Sequence, residues 1–168
     1  MTVRRRDFLF NACTSLAGAA VLGRSSLAHA NESSALVFYH IHTAEKLRIV
    51  YREHGNVVAG AVDEINHFLR DFRTGEAHAM DVALLDTLSA IYEQYDRRGN
   101  FEVISGYRSP RTNAALRHAT TGVAKDSLHM FGRAIDVRLT GAATADLRNA
   151  ALALQRGGVG YYPDSNFV

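Results

Sequence analysis

Apolar and polar residues alternate along residues 35–52, with one interruption. Val37, Tyr39 and Ile41 alternate with Phe38, His40 and His42. After Thr43-Ala44-Glu45-Lys46, Leu47, Ile49 and Tyr51 alternate with Arg48, Val50 and Arg52. A period of two is the strand repeat, so this segment predicts a β-hairpin. The period then lengthens. Val62, Ile65, Leu69 and Phe72 make one helical stripe across residues 61–76, which Gly75 should stop. A second helix is expected over residues 80–100, with Asp81 as its cap, Leu85, Leu88, Tyr92 and Tyr95 as its stripe and Gly99-Asn100 as its end. Phe101–Ser105 reads as a short buried strand. Ser109-Pro110 reads as a cap followed by proline at the first helical position, opening a helix to about His118. Residues 133–139 alternate again, with Ile135, Val137 and Leu139 on one side and Ala134, Asp136 and Arg138 on the other. Thr144 is expected to cap a last helix carrying Leu147, Ala151 and Leu154, and residues 157–162 to form a final strand. The sum is an α+β domain, with helices packed on one face of a small, largely antiparallel sheet.

Charge separates the first thirty residues from the rest. They hold Arg4, Arg5, Arg6 and Arg24 against Asp7, whereas the remainder carries 15 basic and 16 acidic residues. A nearly neutral body of mixed sign argues against nucleic-acid binding, which needs a basic face. The first thirty residues read as an export signal: a basic start, a short apolar run centred on Ala17–Leu22, and a small-x-small cleavage pattern at Ala28-His29-Ala30. Arg5-Arg6-Asp7-Phe8-Leu9 resembles the twin-arginine signal, so export through the Tat translocon to the periplasm is expected. The apolar run is too short for a spanning helix, and no stable membrane anchor is expected. A domain over residues 31–168, acting as a monomer, is the expected mature form. A chain of 168 residues is long enough for one such domain with a real core.

The lone cysteine, Cys13, lies in the leader. The mature domain then has no disulfide and no thiol ligand or nucleophile, so a metal would need His, Asp or Glu. Candidate ligands stand at His129 and Asp136, seven positions apart in Ser127-Leu-His-Met-Phe-Gly-Arg-Ala-Ile-Asp136. Gly132 permits a tight turn between them, and Asp136 should point away from the apolar layer of its strand. An imidazole and a carboxylate are good zinc donors, but a catalytic zinc normally takes three protein ligands. From spacing alone, a structural loop–strand polar pair is the plainer reading.

The surroundings sharpen it. Ser127-x-His129-x-x-Gly132-x-Ala134-x-Asp136 matches the first signature of the zinc D,D-peptidase (Hedgehog-like) group, and Ser105-Gly106-Tyr107-Arg108-Ser109 resembles that group's arginine element. Over most of the mature chain the sequence resembles the branch of murein endopeptidases often called YcbK-like or M15-type. The resemblance implies an exported zinc metallopeptidase that hydrolyses the stem-peptide crosslinks of peptidoglycan, with the zinc cleft on the sheet. His129 and Asp136 would be zinc ligands. Arg108 would hold a substrate carbonyl or carboxylate, or stabilise the developing oxyanion, and Ser127 would support the ligand loop by hydrogen bonding. Zinc would activate a water and polarise the scissile carbonyl, and a carboxylate or histidine near the third ligand would act as general base.

One departure stands out. The family places its third ligand in a C-terminal His-x-Asp element, and no histidine follows His129 here. The expectation is a chain cut short just before that element, weak in zinc binding as written. The rival reading is a non-catalytic peptidoglycan-binding module with a degenerate zinc site; a carboxypeptidase on free stem peptides is a weaker one. His118 is a remote replacement ligand, more plausibly a favourable cation at a helix end. His40 and His42 are expected on a solvated strand face rather than as a metal pair. Asp126 and Asp164 are candidate acids, although turn chemistry accounts for Pro163-Asp164-Ser165-Asn166. Tyr161 and Tyr162 are expected as core and cleft wall.

Overall fold

The computed structural model describes residues 33–120 and 122–168. The leader, Cys13 and the start at Asn31 lie outside the described residues. The hairpin forms as β1 (Ser34–His40) and β2 (Lys46–Glu53), followed by a two-residue β3 (Asn56–Val57). Two helices follow, α1 (Ala59–Phe68) and α2 (Val82–Gln94). After them come β4 (Phe101–Ser105), α3 (Pro110–Ala119), a 3-10 turn (Leu128–Phe131), β5 (Asp136–Leu139) and α4 (Thr144–Ala153). The five strands form one sheet in the order β3-β2-β1-β4-β5. It is mixed: β1 runs parallel to β4, and the other neighbours are antiparallel. The parallel pair arises because α1 and α2 lie between β1–β2 and β4 in the chain, a crossover long enough to bring β4 back in the same direction.

Alternation places Leu36 and Phe38 of β1, Ile49 and Tyr51 of β2, Phe101 and Val103 of β4, and Val137 and Leu139 of β5 in one core. Ile65 and Phe68 of α1, Leu85, Leu88, Ile91 and Tyr92 of α2, and Leu147 of α4 complete it. Burying each large side chain contributes about 1.5–3 kcal/mol relative to leaving it in water. A polar clamp ties β2 to α2: Tyr51 donates its hydroxyl to Asp86 (2.9 Å), and Arg52 grips both oxygens of the same carboxylate. Among the described residues no helix is long and apolar enough to cross a membrane.

Several boundaries differ from the sequence pattern. The first helix stops at Phe68, with Leu69 as its C-cap, so Phe72 lies beyond it in a turn closed by Gly75 N–H donating to the Asp71 carbonyl (2.7 Å). Asp81 caps α2 as expected, its side chain accepting from Ala83 N. Ser109 caps α3 the same way, accepting from Thr112 N. Thr144 does not cap α4: the N-cap is Ala143, and the Thr144 hydroxyl instead meets Asn166. Residues 157–162 form no strand; one isolated bridge joins Tyr162 to Phe167. Strand character begins at Asp136 rather than at Arg133.

His40 overturns a second expectation. It is fully buried rather than solvated, on the face shared with Leu36 and Phe38, while His42 leaves the strand and stacks on Phe72 at 4.1 Å. His40 Nδ1 accepts from His42 N (3.3 Å), and its Nε2 has no hydrogen-bond partner among the described residues. The ring sits edge-on to Phe68 and Phe72. Burial first, then His42, hold its pKa below the ordinary 6.5, with Glu45 pulling weakly upward and Arg70 downward. Above that value both folded and unfolded states are neutral. As pH falls through it, the unfolded chain takes up a proton that the buried ring refuses, so stability is lost. We expect the urea midpoint to fall between about pH 7.5 and about pH 5.5, and His40→Leu to shrink that fall. An equal fall in the variant would assign the acid sensitivity elsewhere.

Candidate metal and peptidase site

The site forms where β4 and β5 leave regular pairing. Val103 pairs with Val137, but the next partners are Ser105 and Asp136, so Ile104 is a bulge. The bulge brings the residue that opens the Gly106–Ser109 loop directly opposite Asp136. Tyr107 N donates to the Leu69 carbonyl (2.8 Å) and Arg108 N to the His129 carbonyl (3.2 Å), which docks the loop between the end of α1 and the 3-10 turn.

The turn that carries His129 is held by close backbone contact. Gly132 has φ +64°, and a Cβ there would stand 2.2 Å from the Ala79 carbonyl oxygen. Its own carbonyl accepts from Asp81 N (2.9 Å), joining the turn to the start of α2. The sequence suggested a tight turn at this glycine; the contact with residues 79–81 had no local signal.

His129, Asp136 and Arg108 come together. His129 Nδ1 lies 2.8 Å from the Gly106 carbonyl. A carbonyl only accepts, so Nδ1 carries the hydrogen, and in the neutral ring Nε2 presents a lone pair. That nitrogen lies 3.4 Å from Asp136 Oδ1. Two acceptors facing each other call for a cation or proton between them. Donors about 2.0–2.2 Å from a tetrahedral zinc stand about 3.3–3.5 Å apart, so this pair fits such an ion. The Gly106 carbonyl supplies the outer-shell hydrogen bond that metal-ligating histidines usually make. Among the described residues no third His, Cys, Asp or Glu joins them.

Arg108 places NH2 3.7 Å from Asp136 Oδ2 and 3.4 Å from Ser105 Oγ. Among the described residues its Nε is buried without a partner. Burial lowers the guanidinium pKa from its ordinary value, partly offset by Asp136. The guanidinium stands beside the His129–Asp136 pair as its nearest cation, but Arg108 is not among the residues that line the adjoining cleft. Ser127 is buried and supports the turn through its backbone carbonyl, which accepts from Met130 N (3.0 Å), while its side chain makes no capping bond.

His129 and Asp136 stand in the wall of a cleft of about 510 Å³, with Leu84, Leu88, Ile135 and Leu147 along it and Tyr162 at its rim. Tyr162 is half exposed and stacks on Phe167, and Tyr161 lies under Arg148, so neither belongs to the core. His118, Asp126 and Asp164 are exposed and do not line the cleft.

Residues 28–168 match the model of peptidase family M15_2, described as "Peptidoglycan L,D-endopeptidase MepK". This chain belongs to that family. The M15_2 chain is 38% identical over 133 residues to the peptidoglycan L,D-endopeptidase MepK of Escherichia coli K12, covering 79% of this chain and 73% of the relative. It is 36% identical over 154 residues to the probable peptidoglycan L,D-endopeptidase MepK of Haemophilus influenzae, covering 90% and 83%. No solved structure matches. Membership makes the chain a peptidase-type hydrolase.

Gly132→Ala tests how the ligand turn is held. It is expected to cost about 1–3 kcal/mol in urea unfolding from backbone strain, plus the clash with Ala79. Gly141→Ala is the control: its φ is +86° with nothing within 4 Å, so it should show strain alone. Equal costs at the two glycines would mean that the contact with Ala79 holds nothing.

Proposed function

We propose that this protein is an exported zinc endopeptidase that cleaves peptide crosslinks of peptidoglycan. The observation that carries the reading is the His129 Nε2–Asp136 Oδ1 pair, oriented by the Gly106 carbonyl and flanked by Arg108. The named activity of the M15_2 relatives supports the substrate class.

His129 and Asp136 would hold the zinc. When bound, the ion supplies Lewis-acid polarisation of the scissile carbonyl and activation of water. Gly106 holds His129 in the tautomer that offers Nε2. Arg108 balances the Asp136 charge through Oδ2, and its guanidinium would steady the charge that develops on the carbonyl. The apolar cleft wall beside Asp136 would receive the peptide and limit water around it.

A third donor has a natural position. Val168 and Val137 exchange both backbone hydrogen bonds, at 2.8 and 3.0 Å. In that antiparallel register the position after Val168 would stand opposite Asp136, with its side chain on the same face. A histidine there, as in the family's His-x-Asp element, would complete a three-ligand set and bring a carboxylate along as base.

The test is bound zinc per chain, by elemental analysis, together with muropeptide cleavage. Two forms are compared: ending at Val168, and extended by His-x-Asp. Stoichiometric zinc and cleavage are expected in the extended form. His129→Ala and Asp136→Asn should abolish both, while Arg108→Ala should keep zinc and lower kcat about 100-fold or more. Absence of zinc and cleavage from both forms would leave the non-catalytic wall-binding module as the better reading. Export is tested separately: replacing Arg5 and Arg6 by lysine should retain the protein in the cytoplasm on fractionation. Unchanged export would remove the twin-arginine part of the proposal.

A further inference from the structure

Asp71 is buried, with 1% of its surface exposed, yet it lies in a loop and is no part of the site described above. Its Oδ2 accepts from Ser109 N at 2.9 Å, and its Oδ1 accepts from Arg73 N at 2.9 Å. The hydroxyls of Thr112 and Ser109 lie near the same carboxylate and favour its charged form. Ser109 is fully buried and Thr112 nearly so. Such a carboxylate carries a desolvation cost that only its donors offset. Burial alone would raise its pKa, but these donors outweigh burial and hold it below the ordinary carboxylate value.

The donors share a location. Ser109 closes the loop that carries the Gly106 carbonyl and Arg108. Two residues before Asp71, the Leu69 carbonyl takes the N–H of Tyr107 (2.8 Å). A Cβ on Gly106 would meet that same Leu69 carbonyl at 2.5 Å. The loop therefore lies directly on the 69–71 segment, pinned at Tyr107 by a backbone bond and at Ser109 by the Asp71 carboxylate. From this surface the loop reaches the site twice, through Gly106 to His129 Nδ1 and through Arg108 to Asp136.

We propose that Asp71 is a positioning residue, whose carboxylate sets the Gly106–Ser109 loop and thereby the tautomer of His129 and the placement of Arg108. The kinetic part of this proposal rests on the peptidase reading; the part concerning His129 does not. Asp71 touches neither substrate nor the reacting atoms. It acts through the Ser109 N–H, and replacing one of its oxygens by an amide sets an N–H group against an existing donor.

The experiment is a double-mutant cycle of Asp71→Asn and Arg108→Ala in the full chain, with the His129 ring nitrogens followed by 15N NMR. Asp71→Asn is expected to keep the far-UV circular dichroism of the parent. It should lower kcat about tenfold or more with KM little changed. The combined loss in the double variant should be smaller than the product of the two single losses, because residues acting through one another are not additive. The Nδ1–H pattern of His129 should give way to a mixture of tautomers. Multiplied losses in the cycle together with an unchanged His129 spectrum would overturn the proposal. If Asp71→Asn does not fold, Thr112→Val removes a hydroxyl that favours the charged carboxylate, at nearly constant volume, and takes its place in the cycle, with the same two outcomes. If the parent in its form extended by His-x-Asp neither binds zinc nor cleaves muropeptides, the peptidase reading fails. The His129 spectrum then decides alone: a changed tautomer in the variant keeps the positioning role, and an unchanged one removes it.

Discussion

The hydrogen bond between His129 Nδ1 and the Gly106 carbonyl is the constraint from which the site follows. It commits one ring nitrogen to the protein interior and leaves the other facing Asp136. Without it the imidazole could present either nitrogen, and the 3.4 Å approach to Asp136 would be one arrangement among several. The bond spans 23 positions of sequence, so it exists only because the sheet and both loops are in place. The β4–β5 bulge sets where the Gly106 carbonyl stands, and the close contact of Gly132 with Ala79 sets where His129 stands. Fold and chemistry meet in that bond.

The same logic explains why a small domain keeps so many polar groups near its core. Asp71, Ser109, Thr112 and Arg108 are buried or nearly so, beside the core. Their desolvation is offset only by hydrogen bonds to one another and to loop backbone. Loops held this way are specified more sharply than loops held by apolar contacts, because a misplaced donor costs more than a misplaced methyl. The exception is the spare Nε of Arg108, a donor left without a partner in a region where almost every other donor is used.

Much of this was legible in the sequence, and the reasons differ by element. The hairpin, α2 and α3 show up because periodicity, a capping Asp81 and the Ser109-Pro110 pair act locally. His129, Asp136 and Arg108 show up because they sit in two recognisable blocks, and the structure brings those blocks together. The mixed character of the sheet was not legible, since the parallel pairing of β1 with β4 depends on which edge the crossover returns to. The first helix was read too long because Phe72 continues its stripe, whereas the chain turns at Leu69 and uses Asp71 to organise a different loop. His40 was misread because alternation gives the two faces of a strand but not which residues end the strand; His42 lies beyond it, and the buried face belongs to His40. Asp71 carried no sequence signal, because its partners at Ser109 and Thr112 lie about forty positions away and become visible only in three dimensions.

The edge beside β5 is where the proposed zinc reading would seat a third donor. Val168 already pairs with Val137 through the backbone, and this pairing sets both the direction and the face of any residue that extends it. A slip of one residue would turn that residue's side chain away from Asp136 and toward the core layer of Val137. The site therefore depends on register at this edge as strictly as it depends on the His129 tautomer. Both are set by backbone hydrogen bonds rather than by the ligands themselves. In the proposed zinc site, His129 and Asp136 would already stand close together before any metal arrived, so binding would order little of the chain.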